Sequence, residues 1–147
     1  AFSDIDFHIG AQTSMGPKLT CLEDKRNVHL YPGIRQEKYQ ELLRNCFIYL
    51  DLNYGSEVSD VTLDAIENGQ LLFGLESTVH RHYYKDLPTV YTSLEELEQG
   101  FRQLIQQAEF YPKALESQKE VLKLAEREEI LAFFTRLEGE KDDDLHL

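Results

Sequence analysis

Residues 47–75, FIYLDLNYGSEVSDVTLDAIENGQLLFGL, contain the alternation on which the fold interpretation depends. An apolar run at 47–52 leads into a polar loop at 53–56, a helical pattern up to Asn68, Gly69, and a second apolar run at 71–75. Apolar runs that alternate with amphipathic helices are typical of βαβ units, in which the strands are parallel. Because residues 47–52 are apolar without alternation, we expect this strand to be central and covered on both faces.

The same alternation continues on both sides of this segment. Towards the N-terminus, strands are predicted at 7–11 and 27–31, and helices near 18–22 and at 35–45. Towards the C-terminus, a short strand at 89–92 precedes a helix capped by Ser93, whose apolar stripe comprises Leu94, Leu97, Phe101, Leu104, Ile105 and Ala108. The sequence therefore predicts an α/β, Rossmann-like fold: a mostly parallel sheet of about five strands flanked by helices, with a long C-terminal helix.

The length of 147 residues suits one domain. We divide it into a Rossmann-like core at 1–92, C-terminal helices at 93–138 and an acidic tail at 139–147, which we expect to lack regular structure. The apolar residues of 113–137 cover more than one helical stripe. This helix either packs around the sheet or also meets a missing domain or another chain.

Composition excludes several functions. The chain has 15 Lys and Arg against 27 Asp and Glu, a net charge of −12, which disfavours nucleic acids and anionic lipids. No apolar run approaches the ~20 residues of a membrane span, so we expect a cytoplasmic protein without a transmembrane segment.

Cys21 and Cys46 form no CxxC pair, and we expect buried free thiols. The neighbouring His80 and His82 belong to a solvated loop, and no metal site is predicted.

The loop at 53–56 is the most suggestive place for a ligand. Ligands of open parallel sheets bind beyond the carboxyl ends of the strands, and here the loop enters a helix N-terminus with unpaired backbone N–H groups. The residues Asn53, Gly55 and Ser56 could hold a phosphate there, although ordinary turn chemistry explains the same residues. No GxGxxG, Walker lysine or GxSxG motif follows any strand.

Three segments carry a resemblance to a known family. They are FHIGAQTSMGPKL at 7–19, NVHLYPGI at 27–34, and CFIYLDLNYGSEVSDVTLDAIENGQLLFGLESTVH at 46–80. Together they resemble the C-terminal lobe of retaining GT-B glycosyltransferases of the family-4 type. The similarity is greater to a subgroup that includes the stabilising subunit of the accessory-secretion protein O-GlcNAc transferase and poly(glycerol-phosphate) α-glucosyltransferases.

The resemblance implies roles for particular residues in holding a UDP-sugar. Asp64 would accept the ribose hydroxyls, and Glu57, the catalytic candidate, would be the loop acid that contacts the donor sugar. The amides of Gly55 and Ser56 would contact the diphosphate, with Asn53 in the same binding loop. Gly10 and Ala11 would let the backbone approach the nucleotide, and the segment from Tyr31 to Ile34 would lie beside the uracil. The donor is a substrate, and the family needs neither a cofactor nor a DxD-held metal.

Two functions follow from the resemblance. The first is the donor lobe of a bacterial glycosyltransferase that moves a hexose or N-acetylhexosamine from UDP to a surface-protein Ser or Thr or to poly(glycerol phosphate), together with a missing N-terminal acceptor lobe. The alternative is a non-catalytic stabilising or acceptor-binding subunit with a catalytic partner. Glu57 and Asp64 give E-x6-D where the family has E-x7-E, which favours the alternative. We expect no turnover from the isolated chain, and membrane association only through missing regions or a partner.

Overall fold

The computed structural model describes residues 2–55 and 61–144. All five strands of this part pair in parallel, and helices lie between and after them, so the α/β fold class is confirmed. The strands are β1 (Phe7–Gly10), β2 (Val28–Tyr31), β3 (Ile48–Asp51), β4 (Leu71–Leu75) and β5 (Val90–Tyr91). The helices are α1 (Pro17–Thr20), α2 (Gln36–Asn45), α3 (Val61–Glu67), α4 (Leu94–Gln106) and α5 (Phe110–Asp144), with a 3₁₀ helix at His82–Asp86.

The chain divides into two compact units, Ala1–Cys46 and Phe47–Leu147. The first unit contains the pair β1–β2, in which His8 is in register with His29 and Gly10 with Tyr31. The second contains a three-stranded sheet in the order β3–β4–β5. The strands thus form two sheets of two and three strands rather than a single sheet of about five.

The central strand of the second unit is β4, and the expectation that residues 47–52 would be central is wrong. Every residue of β4 is buried, whereas β3 is half-buried until its last residue, Asp51. Phe47, which precedes β3, is 73% exposed. Both segments are continuous apolar runs, but among the strands of residues 2–55 and 61–144, β4 pairs on both sides and β3 on one. Leu72 of β4 lies in a core with Val79, Tyr84 and Leu87.

A glutamine side chain completes the edge of β4. The two residues of β5 pair only with Gly74 and Leu75, so the N-terminal part of β4 needs another partner on that side. Gln118 of α5, 2% exposed, accepts a hydrogen bond from the Leu72 N–H at 2.9 Å and donates one to the Gln70 carbonyl at 2.9 Å. Its amide makes the two bonds that a neighbouring peptide group would make, which satisfies buried backbone atoms.

The ends of α3 and α4 follow their sequence signals. Gly69, at φ +83°, ends α3: its N–H donates to the Ile66 carbonyl and the next N–H donates to Ala65, as in a Schellman motif. Ser93 caps α4 by accepting the Glu96 N–H at 3.2 Å, as predicted. The buried stripe of α4 is narrower than expected, because Leu94 and Ile105 are 57% and 51% exposed.

Helix α5 is 35 residues long, about 52 Å at the usual rise of 1.5 Å per residue. It continues to Asp144, so most of the acidic tail expected to lack regular structure is helical. Its first half packs on β4, α4 and the 3₁₀ helix, with Ala114, Gln118 and Ala125 buried. From Leu124 onwards the helix exposes large apolar side chains: Leu124, Ile130, Leu131, Phe133, Phe134 and Leu137.

Candidate functional site

In the first unit, the carboxyl ends of β1 and β2 lead into two loops that are tied together. The Ala11 N–H donates to the Tyr31 carbonyl at 3.1 Å, and the Ile34 N–H donates to the Ala11 carbonyl at 2.8 Å. The Gly33 N–H donates to the Thr13 carbonyl at 3.0 Å, with Gly33 at φ +56°. The four candidate residues of this unit, Gly10, Ala11, Tyr31 and Ile34, are therefore brought together.

Gly10 lies close to the Ile34 side chain within this cluster. A Cβ added at Gly10 would lie 3.1 Å from Cδ1 of Ile34, which is tighter than ordinary van der Waals contact. The small residue at this position thus makes room for the Ile34 side chain. The resemblance implied a small residue here beside a nucleotide, and the neighbour that the structure shows beside Gly10 is the Ile34 side chain.

A hollow of about 320 Å³ opens at the carboxyl end of β2. It is lined by Leu30, Tyr31, Pro32, Gly33, Ile34, Arg35 and Lys38. Lys38 forms an ion pair with Glu41 at 2.9 Å, and the hydrogen bond from this pair raises the pKa of Lys38. Its ammonium lies 5.3 Å from the centre of the Tyr31 ring, within cation–π range. Two basic side chains, Arg35 and Lys38, therefore line the hollow, although the chain as a whole is acidic.

Sequence reasoning missed Arg35 and Lys38 as part of this hollow. The signal was available, because both residues lie at the start of the helix that follows Pro32 and Gly33. Residues of a first helical turn after a strand face the same end of the sheet as the strand's last residues. Together, the two basic side chains and the Tyr31 ring can accommodate an anionic, planar ligand.

Next to the hollow, aromatic rings stack across β1 and β2. The His8 ring stacks on His29 at 4.8 Å and on Tyr31 at 5.8 Å between centroids. Nδ1 of His8 is 2.9 Å from the Tyr31 hydroxyl, and Nε2 of His29 is 3.0 Å from Asp6. Burial, and then the proximity of His29, lower the pKa of His8. These contacts hold Tyr31 in place and leave His8 uncharged at neutral pH.

In the second unit, the loop after β3 is closed on itself. Asp51, 3% exposed, accepts the Asn53 N–H at 3.3 Å, and the Asn53 side chain accepts the Gly55 N–H at 3.0 Å. This is an Asx turn, the ordinary turn chemistry that the sequence left open. The resemblance implied that the Gly55 N–H contacts a diphosphate, but in the structure this N–H donates its hydrogen bond to Asn53 within the loop. Ser56 and Glu57, the other candidates of this loop, lie outside the described residues.

Asp64 lies on α3 and is half-buried, between the buried residues Thr62 and Ala65. Its backbone carbonyl accepts both the N–H of Asn68 at 3.0 Å and the side-chain amide of Asn68 at 2.8 Å. Asn53, Gly55 and Asp64 thus belong to the second unit, and the other described candidates belong to the first.

The cysteines and histidines that the sequence singled out have ordinary environments. The expectation that both thiols would be buried is wrong: Cys21 is exposed and donates to the Lys18 carbonyl at 3.1 Å, and Cys46 is half-buried. Burial raises the pKa of the Cys46 thiol, which makes it less reactive. Across residues 2–55 and 61–144, no group of three His, Cys, Asp or Glu side chains is arranged to hold a metal ion. The same ranges contain no helix that is long and apolar enough to cross a bilayer.

Parallel strands with loops and helix starts at their carboxyl ends make this an α/β protein. The chain belongs to the GftB/GlyA-F C-terminal domain family, which matches residues 1–118.

Several curated proteins are similar to part of the chain. The stabilizing protein GtfB of a UDP-N-acetylglucosamine–peptide N-acetylglucosaminyltransferase from Streptococcus parasanguinis is 45% identical over 74 residues, which are 50% of this chain and 17% of that protein. The glycosyltransferase GlyF of Streptococcus pneumoniae is 33% identical over 75 residues, which are 51% of this chain and 19% of that protein. The chain thus spans about a fifth of the length of these relatives.

Solved structures share the fold. A chain of the GtfA/B complex bound to UDP and GlcNAc matches 80% of this chain, and 27% of its own length, with a TM-score of 0.69 and 27% identity. The glycosyltransferase GlyE of Streptococcus pneumoniae matches 68% of this chain, and 26% of its own length, with a TM-score of 0.59 and 22% identity, a likeness of fold alone.

Proposed function

We propose that this chain is part of a non-catalytic subunit of a glycosyltransferase complex. This subunit stabilises a catalytic partner or binds the glycosylated substrate. The observation that supports the proposal most directly is the Asx turn after β3, in which the Asn53 side chain accepts a hydrogen bond from the Gly55 N–H. A donor diphosphate bound at this loop would need that amide free, because backbone N–H groups at the start of a helix supply its hydrogen bonds.

Two further observations support this function. The E-x6-D spacing of Glu57 and Asp64 differs from the spacing that the glycosyltransferases of the resembling family use. The similarity of 45% is to a protein whose name describes stabilisation of a transferase. A subunit that does not catalyse the reaction keeps the fold, because its core residues still have to pack. Its donor-binding residues can be replaced without loss of that fold.

The experiment uses the natural protein that contains this sequence and a purified glycosyltransferase from the same source. Transfer from UDP-N-acetylglucosamine and from UDP-glucose is measured with each protein alone and with both together. We expect no transfer by the natural protein alone and a longer half-life of the partner's activity at elevated temperature when both are present. Transfer by the natural protein alone would exclude this function.

The second candidate is the donor lobe of an active enzyme, which transfers a hexose or N-acetylhexosamine from UDP to Ser or Thr or to poly(glycerol phosphate). It is favoured by the hollow beside Tyr31, which Arg35 and Lys38 line and which therefore suits an anionic group. The similarity to a protein named as a glycosyltransferase, GlyF, also supports it. In this case Asp64 receives the ribose hydroxyls, and the retaining GT-B mechanism applies.

Calorimetric titration of UDP separates the two candidates. Donor binding predicts that Asp64→Ala weakens UDP binding about tenfold or more, since a carboxylate that accepts two hydroxyls is lost. Glu67→Ala, an exposed change on the same helix, is the matched control and leaves the affinity unchanged. The non-catalytic function predicts no measurable UDP binding by any of the three proteins. Equal, measurable affinities would remove Asp64 from the site.

A further inference from the structure

Three basic and two acidic side chains meet around the β1–β2 pair. Nε2 of His29 is 3.0 Å from Oδ1 of Asp6, and Nζ of Lys38 is 2.9 Å from Oε1 of Glu41. Both carboxylates of this group therefore have a basic partner. The third base, His8, stacks on His29 at 4.8 Å between ring centroids, and it forms no ion pair within residues 2–55 and 61–144. A proton on His8 would thus add a charge that no carboxylate of the group is left to pair with.

His8 contacts Tyr31, through which it is connected to the loops beyond both strands. Nδ1 of His8 is 2.9 Å from the Tyr31 hydroxyl, and the two rings stack at 5.8 Å. The Tyr31 carbonyl accepts the Ala11 N–H, and the Ala11 carbonyl accepts the Ile34 N–H. A continuous series of contacts therefore joins the His8 ring to the loops at 11–16 and 32–34, which we call the two loops.

The two loops have little else to hold them closed. Each of their residues is exposed or half-buried, so no core side chain belongs to either loop. Segments of this kind open locally at a small cost in free energy. A change of one charge in a contact that holds them is therefore enough to alter how often they open.

The groups that face His8 disfavour its charged form while the two loops are closed. Partial burial of the ring is the largest influence and lowers the pKa of His8, and the proximity of His29 lowers it further. Asp6, in the segment before β1, acts in the opposite direction. From α2, Lys38 lowers the pKa of His8 and Glu41 raises it. The sum of these effects lies on the side of the neutral ring.

The hydrogen bond to Tyr31 depends on the same proton. A neutral His8 ring can accept the Tyr31 O–H at Nδ1, whereas both nitrogens of a protonated ring are donors. Once the loops open and the rings separate, His8 binds a proton as readily as a histidine in water. Because the open form then binds the proton more tightly than the closed form, a fall in pH favours opening.

We propose that His8 is a pH-sensitive switch for the two loops, which are held closed by its neutral ring and open more often when the ring is protonated. The switch acts on the hollow beside Tyr31, since Tyr31 and Ile34 line that hollow. The hollow is therefore best formed at neutral pH and is lost more often as the pH falls below the ordinary histidine value of about 6.5.

The test is amide hydrogen exchange with mass spectrometry on the natural protein that contains this sequence. Protection factors, which correct for the intrinsic effect of pH on exchange, are compared at about pH 7.5 and about pH 5. We expect peptides that cover 7–16 and 30–35 to lose protection about twofold or more at the lower pH. A peptide that covers β4 is the internal reference and changes less, because its amides exchange when the second unit opens. Equal protection of the two loops at both pH values would overturn the proposal.

Three variants assign the effect to His8. His8→Gln removes the difference between the two pH values, because the side chain no longer titrates. His82→Gln, the same change at an exposed histidine of the 3₁₀ helix, leaves the difference as it is. His29→Gln makes the difference smaller, since it removes a neighbouring cation and leaves Asp6 available to His8. A difference that persists in His8→Gln, or that His29→Gln leaves unchanged, would show that His8 is not the switch.

Discussion

Replacement of Gln118 by Met tests how the edge of β4 is stabilised. The two side chains have similar volumes, but Met cannot accept the Leu72 N–H or donate to the Gln70 carbonyl. Both backbone groups belong to buried residues, since Leu72 and Gln70 are 0% and 4% exposed. A buried polar group without its partner costs about 1–3 kcal/mol, so two of them lower the free energy of unfolding by about 3 kcal/mol or more.

The change is measured by thermal unfolding followed by circular dichroism. For a protein of this size, a loss of about 3 kcal/mol lowers Tm by roughly 10 °C. Gln103→Met, on the exposed side of α4, is the matched control and shifts Tm by less than about 2 °C. Amide hydrogen exchange at Leu72 gives a second measurement, because its N–H loses its acceptor. If Gln118→Met unfolds at the temperature of the control, the reasoning about the β4 edge is wrong.

Three further predictions concern the helix ends and the histidine stack. Ser93→Ala lowers the free energy of unfolding by about 1 kcal/mol in urea titrations, because the Glu96 N–H loses its cap; an unchanged midpoint would contradict this. Gly69→Ala costs about 1 kcal/mol, because φ +83° strains any residue with a Cβ, and Asn68→Ala beside it does not carry that strain. By NMR, His8 titrates below its ordinary value of 6.5, because burial and His29 lower its pKa. The unfolded chain then binds a proton that the folded chain resists, so His8 reduces stability as pH falls below 6.5, a dependence that His8→Gln removes.

Much of the second unit could be predicted from residue pattern because local signals decide it. The apolar run of β4, the glycine that ends α3 and the serine that caps α4 each act within a few residues of their own position. The order of the strands is not local. Residues 47–52 and 71–75 are equally apolar, and only the pairing of β5 with β4 makes Leu71–Leu75 central.

The candidate site was predictable in outline and not in its contacts. A turn at Asn53 and Gly55 follows from residue type, whereas the importance of a small residue at Gly10 was implied by the family resemblance. That Gly10 accommodates Ile34, and that Asn53 itself accepts the Gly55 N–H, depends on side-chain positions that spacing does not specify. Gln118 resembled any surface residue of a helix, although its position in line with Ala114 and Val121 placed it on the inner side of α5.

The two units differ in the number of apolar residues that they bury, and this difference affects how readily each unit opens. Of residues 2–46, Leu43 is the one buried apolar residue, whereas the described part of the second unit contains twelve buried apolar residues. Segments with so few enclosed side chains open at low cost in free energy, well before the whole chain unfolds. The loops around Tyr31 therefore belong to the part of the protein in which proteolysis and amide hydrogen exchange are expected to be fastest. A ligand bound there would slow both processes.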